Sequence, residues 1–271
     1  MLDRHCLGGG WGRGVAAALA ILVSPLAFGA STLFLKPLHL VRRVDDPISK
    51  TTATIDEYCL GNRVVTIHGS KVTIADYDAQ QLTEIDHAAQ TWSVTPFADI
   101  ARSRTELDAR MNHGAVSHST KLTALGRKAS GAVDAFVLDD DHRRVEIGFN
   151  RGVNLSRAAA EVLIGAAYPN TKGEEADAIL DAAANRSNIA ALSAGTPSEP
   201  SYGLLVERTL TIVNGASTLV ARNTVIRVGD EMPPADAMLI DPGAKRIESR
   251  LTRLARELRE IDSLPSAKAQ H

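Results

Sequence analysis

Aromatic side chains make up only 4% of this 271-residue chain, so its core has to be built from Val, Ile, Leu and Ala rather than from stacked rings. Cysteine is nearly absent, with Cys6 and Cys59 the two present, which excludes a disulfide-stapled framework. Charge of one sign is missing as well. Against 30 Lys and Arg stand 32 Asp and Glu, a net −2, without the basic face that marks a nucleic-acid binder. No G-x-S-x-G, H-E-x-x-H, C-x-x-C or P-loop occurs, so no motif supports an enzyme and no cofactor is implied. Nor does any run reach the roughly 20 apolar residues that a transmembrane helix needs.

What is present begins with a glycine-rich opening carrying Arg4 and Arg13, then the apolar run Val15–Val23, then Ser24-Pro25 and Ala27-Phe28-Gly29. A basic end, a short apolar stretch and a small-x-small close are what a signal peptidase cuts. Residues 1–29 are therefore expected to be a cleavable signal, with cleavage before Ala30 and the mature protein in the periplasm. Pro25 interrupts the run too early for a membrane anchor. Cys6 precedes the run and leaves with it, so no lipid anchor is expected. Cys59 remains alone, either a small half-buried strand residue or one half of a bridge between chains.

After an opening segment from Pro37 to Pro47 the pattern becomes that of short strands. Thr51–Ile55 runs into Tyr58-Cys59, and Arg63–His68, Lys71–Ala75, Gln81–Asp86 and Thr91–Thr95 follow, parted by Leu60-Gly61-Asn62, Gly69-Ser70, Asp78-Ala79-Gln80 and His87–Gln90. A two-residue Gly-Ser between alternating runs is a hairpin signal, and the regular spacing predicts an antiparallel meander. Val65, Ile67, Val72, Ile74, Ile85, Trp92 and Val94 share one parity. Thr66, Thr73, Glu84 and Ser93 take the other, as for a sheet with one apolar and one wet face.

Helical spacing covers Phe97–Met111, Leu155–Tyr168 and Glu174–Ala184, with strand patterns between them at His118–Leu125, Ser130–Leu138 and Arg143–Phe149. A linker at Gly195–Pro200 leads to Leu204–Val213 and Thr218–Val228, joined at Asn214-Gly215. Ile247, Leu251, Leu254, Leu258 and Ile261 mark the stripe of an amphipathic helix over 245–261, and the tail 263–271 reads as disordered. The whole predicts one α+β domain over residues 30–262, a curved, mostly antiparallel sheet that closes around a helical plug.

The phrases Arg63-Val64-Val65, Ile74-x-Asp76, Leu82-Thr-Glu-Ile85-Asp86 and Gln90-Thr-Trp92-Ser-Val94 resemble the opening of an exported family of domains of unknown function. That family is similar in plan to the bacterial lipoprotein carriers (LolA/LolB-like). Gly203–Ile212 resembles its long penultimate strand and Pro234–Gly243 its ending, with Met238 or Leu239 where an aromatic is usual. The resemblance implies a LolA-like half-barrel whose apolar inner face shelters acyl chains.

On that footing the expected ligand surface is Val65, Ile67, Val72, Ile74, Ile85, Trp92 and Val94. It would take a lipid, a lipoprotein acyl chain or another hydrophobic molecule from an open apolar cavity of about 300–1,000 Å³. The alternative is a non-enzymatic envelope protein that meets a protein partner through helix 245–261 or the outer sheet face. Asp139-Asp140-Asp141-His142 has the oxygen ligands that suit calcium, but its place between two apolar strands is fully explained by a solvated hairpin tip, and no metal is expected. His113 and His118 read as loop residues or as a metal pair. His68 and His87 fall at strand ends, and Asp76, Glu84 and Asp86 form no acid–base pair.

Overall fold

The computed structural model describes residues 32–111, 121–127, 133–139, 143–167, 173–184, 201–214, 216–243 and 245–262. The expected signal, the linker 195–200, the tail 263–271, His113, His118 and Asp140–His142 lie outside them.

Ten-residue phrasing builds the first half. Strands β2 (Thr51–Gly61), β3 (Arg63–His68), β4 (Lys71–Asp76), β5 (Gln81–Asp86) and β6 (Thr91–Pro96) form the expected meander, each antiparallel to the next. Two kinds of turn set its register. Gly61 and Gly69 stand first in two-residue turns with φ of 59°, a conformation that an L side chain resists. The four-residue turns after Asp46, Asp76 and Asp86 instead end on Lys50, Gln80 and Gln90, all at positive φ. In each, the leading aspartate accepts backbone N–H bonds inside the turn, from Ile48, from Asp78 and Ala79, and from Ala89. Gln80 and Gln90 each donate a side-chain bond back to the first turn carbonyl, of Tyr77 and His87.

Strand β1 (Phe34–Asp46) corrects the reading of Pro37–Pro47 as a non-strand opening. Pro37 lacks an N–H, and the ladder to β2 shifts register between Phe34 and Leu38, so the strand absorbs the proline as an irregularity. Beyond helix α1 (Phe97–Met111) come β7 (Lys121–Arg127), β8 (Val133–Asp139) and β9 (Arg143–Leu155), then α2 (Arg157–Ala167) and α3 (Gly173–Ala183). Ser156 caps α2 by accepting the Ala159 N–H at 3.2 Å. The long hairpin β10 (Tyr202–Asn214) and β11 (Ser217–Gly229) follows as expected, with Asn214 opposite Ser217.

A short helix α4 (Pro234–Leu239), unforeseen in the sequence, begins with proline at its first position. The terminal helix is shorter than the expected 245–261. Lys245 and Arg246 form β12, paired in parallel with β6, and α5 (Arg250–Asp262) starts only after Ser249, whose Oγ accepts the Thr252 N–H at 3.0 Å.

Among the described residues all strands join one 12-stranded sheet, in the order β12-β6-β5-β4-β3-β2-β1-β11-β10-β9-β8-β7. The chain is thus α+β with a mostly antiparallel sheet. The sheet is open, with β12 and β7 at its edges.

The expectation of one wet face is corrected. The main core lies on the Thr66 face, where Cys59, Val64, Ala75 and Leu82 stand opposite one another across β2–β5. They join Phe97 and Ile100 of α1, Val145 and Ile147 of β9, and Leu163 and Ile179 of α2 and α3 in one apolar cluster. Thr66 and Ser93 are themselves buried. The meander's alternation marks the Val65 face as apolar, but paired helices cover the other side too, so both sides are buried. Cys59 is 1% exposed and free, a fully buried residue rather than a half-buried one, and no bridge to another chain can reach it.

Candidate functional site

Register places all seven expected ligand residues on one face. Val65 lies opposite Ile74, Ile67 opposite Val72, Val72 opposite Ile85, and Ile85 opposite Trp92. Val94 joins them through Thr83, which faces both Val94 and Ile74. Six of the seven form a second apolar cluster, distinct from the main core. Val65, Ile67, Val72 and Ile85 are buried with Tyr58, and Ile74 and Trp92 pack against them half-buried. Val94 is half-buried on the same face beyond the cluster. Burying each aliphatic contributes about 1.5–3 kcal/mol, so this face needs a cover.

The cover is the chain's own segment Met232–Ile240. Met232, Leu239 and Ile240 pack on the cluster, and this corrects the expectation of an open concave face. Two polar ties hold the segment. Tyr58 Oη donates to Asp236 Oδ2, and His87 Nε2 donates to the Leu239 carbonyl at 2.8 Å. Yet α4 buries none of its own residues, and Met238 is 78% exposed. Beneath it Val65, Ile67, Val72 and Ile85 are buried, while Ile74, Trp92 and Val94 and the segment itself stay partly in solvent.

Tyr58 anchors this arrangement. Its ring stacks on His39 with centroids 4.2 Å apart, and His39 Nε2 lies 2.8 Å from Asp56 Oδ1. Burial, and then the bond to Asp236, push the Tyr58 phenol well above its ordinary range. Sequence reasoning missed His39, Asp56 and Asp236. Tyr58 shares the parity of Val65 through their pairing, which was the available signal.

The polar candidates divide by role. Asp76 and Asp86 serve their turns, Asp76 also pairing with Arg63 at 2.7 Å and Asp86 with Lys71 at 3.9 Å. His87 ties the cover, while His68 and Glu84 line a cleft on the opposite face. No three His, Cys, Asp or Glu among the described residues form a group that could hold a metal. The terminal stripe is only partly docked. Leu251 packs on the main core, whereas Ile247 and Leu254 remain 45% and 39% exposed.

No family model matches the chain, and no curated protein matches it. Among solved structures, one described as "Structure of PNGF-II in C2 space group" aligns at 8% identity with a TM-score of 0.36. The alignment covers 83% of this chain and 33% of that one. A likeness this distant carries no argument about fold or activity.

Proposed function

We propose that this is an exported, periplasmic carrier-type protein without enzymatic activity. In this reading it holds a lipid, an acyl chain or another hydrophobic molecule between the Val65 face and the Met232–Ile240 segment. The half-barrel of the lipoprotein carriers belongs to the same proposal, with the register shifts in β1, β10 and β11 as the places where the sheet would curl. The observation that carries the reading is the second apolar cluster, separate from the main core and closed by a nine-residue segment whose helix buries nothing. Displacing that segment costs two hydrogen bonds and three partly buried apolar contacts, within what an acyl chain of a dozen buried methylenes returns at about 0.8 kcal/mol each.

Trp92 supplies the probe. It and Trp11 are the two tryptophans of the chain, and Trp11 leaves with the expected signal. Titrating residues 30–271 with a fluorescent fatty acid should give saturable energy transfer from Trp92 at micromolar concentration. Ile74→Asp should abolish it while circular dichroism stays unchanged. Absence of saturation, or binding indifferent to Ile74→Asp, overturns the proposal.

The exposure of Ile247 and Leu254 favours a second reading, an envelope protein that meets a partner through α5 and the stretch leading into it. Crosslinking in intact cells separates the two. Loss of every crosslinked partner in an Ile247→Lys, Leu254→Lys variant that still binds no fatty acid would favour it.

A further inference from the structure

A cleft of about 250 Å³ opens on the Thr66 face, between β3–β6 and the stretch that leads into α5. Its floor is a row of polar side chains. Thr66 stands opposite Thr73, Thr73 opposite Glu84, and Glu84 opposite Ser93, across four neighbouring strands. Adjacent strands lie about 4.8 Å apart, so Glu84 has a hydroxyl close on either side and a third one strand further. This row borders the apolar one, Cys59–Val64–Ala75–Leu82, that belongs to the main core. Packing gives no reason for it to be polar.

Two of its members lack a hydrogen-bond partner among the described residues, one of them buried. Thr66 is 5% exposed and its Oγ1 has no hydrogen-bond partner among the described residues, a state that costs about 1–3 kcal/mol when nothing fills the site. The Glu84 carboxylate is half-buried, and no described group donates a hydrogen bond to it. Burial pushes its carboxyl up, with Lys71 opposing.

The other charges at the cleft are mostly matched. Lys71 lies 3.9 Å from Asp86, and Glu248 pairs with Arg253 at 3.5 Å and Arg256 at 2.5 Å. His68 and the exposed Arg250 stand at its margin. The deep group that lacks a donor is therefore an acceptor. Hydroxyl oxygens accept as well, and an ammonium brings three donors to such a set. An anion would meet Glu84 head on. A divalent cation would find a single floor carboxylate, too few hard ligands for its usual six or more.

We propose that this cleft binds a small polar molecule carrying a protonated amine. Glu84 accepts from the ammonium, and Thr66, Thr73 and Ser93 take its remaining donors or the ligand's own hydroxyls. The volume corresponds to on the order of eight waters, which limits the ligand to about ten non-hydrogen atoms. The four polar side chains of its floor lie on the opposite face of the sheet from the apolar layer, although Val72, Ile85 and Trp92 of that layer also border the cleft.

Ethanolamine is the probe and glycerol the neutral comparison. Added to residues 30–271, ethanolamine should give saturable amide NMR shifts at Thr66, Thr73, Glu84 and Ser93 in the millimolar range or below, and glycerol at least tenfold weaker ones. Bound ethanolamine should move the Glu84 carboxyl titration to lower pH. Glu84→Gln should weaken binding at least tenfold without lowering Tm, because it removes a carboxylate that burial disfavours. No saturation, an equal response to glycerol, or undiminished binding by Glu84→Gln overturns the proposal. Should that variant fold poorly, wild-type affinity across the Glu84 titration decides. Affinity must fall as the carboxyl takes up its proton, and constancy there overturns the assignment equally.

Discussion

Tyr58 and Asp236, 178 residues apart in the chain, are joined by a hydrogen bond from the phenol to the carboxylate. One sits in the second strand and the other in the short helix that covers the apolar layer, so the bond is the polar latch of that cover.

Tyr58→Phe keeps the stacked ring and removes only the latch. The half-exposed partner limits the loss to about 1 kcal/mol, or about 2–4 °C in Tm. Acrylamide should then quench Trp92 more strongly, because the segment above it opens more often. Unchanged quenching would show that apolar contacts alone hold the cover.

Arg42 and Glu57 form a 2.8 Å ion pair with side chains only 5% and 4% exposed. Glu57→Leu alone strands the guanidinium and should cost about 3–5 kcal/mol by urea unfolding. Adding Arg42→Met should recover most of that loss. A double variant as unstable as the single one would mean that the pair stabilises beyond the cost of burying it.

Burial pushes the Cys59 thiol well above its usual range, with Glu57 adding to it. Iodoacetamide at pH 8 should leave native Cys59 unmodified and label it fully in urea. Labelling of the native protein at the rate of a free thiol would place Cys59 nearer the surface than β2 puts it.

Burial also raises the phenols of Tyr58 and Tyr77. The folded chain keeps protons that the unfolded chain loses above about pH 10, so this stability is complete below pH 10 and declines as pH rises beyond it. Urea midpoints should therefore fall between pH 10 and 12, by up to about 1.4 kcal/mol per pH unit for each phenol. A Tyr58→Phe, Tyr77→Phe double variant should flatten that slope.

Arg151 lays its guanidinium on the end of α3, donating to the carbonyls of Ala182 at 2.6 Å, Ala183, and Ala184 at 3.1 Å. A cation at a helix C-terminus satisfies carbonyls that have no partner within the helix. Arg151→Met should cost about 1–3 kcal/mol and lower hydrogen-exchange protection across 173–184 first. Equal loss of protection throughout the sheet would assign Arg151 to the global core instead.

The meander was legible because its information is local. Gly61, Gly69 and the aspartate-led turns set each register within a few residues, and period-two alternation then sorted Val65, Ile67, Val72, Ile74, Ile85, Trp92 and Val94 onto one face. The same alternation misled about the reverse side. Thr66 and Ser93 looked solvated, since their polarity says nothing of what lies over them. Strand β1 was missed because Pro37 is a breaker in most strands and only an irregularity here. Helix α4 was hidden in a stretch too short for periodicity to register.

By itself, then, the sequence determined the strand and hairpin register of the meander and the grouping of seven apolar residues. Each depends on neighbours within about ten positions. Tertiary structure alone decided that six of them form a cluster covered by Met232–Ile240, that Tyr58 finds Asp236, and that Thr66, Thr73, Glu84 and Ser93 line a cleft. Such outcomes follow from which distant segments pack together to bury apolar surface, and no local pattern encodes that choice.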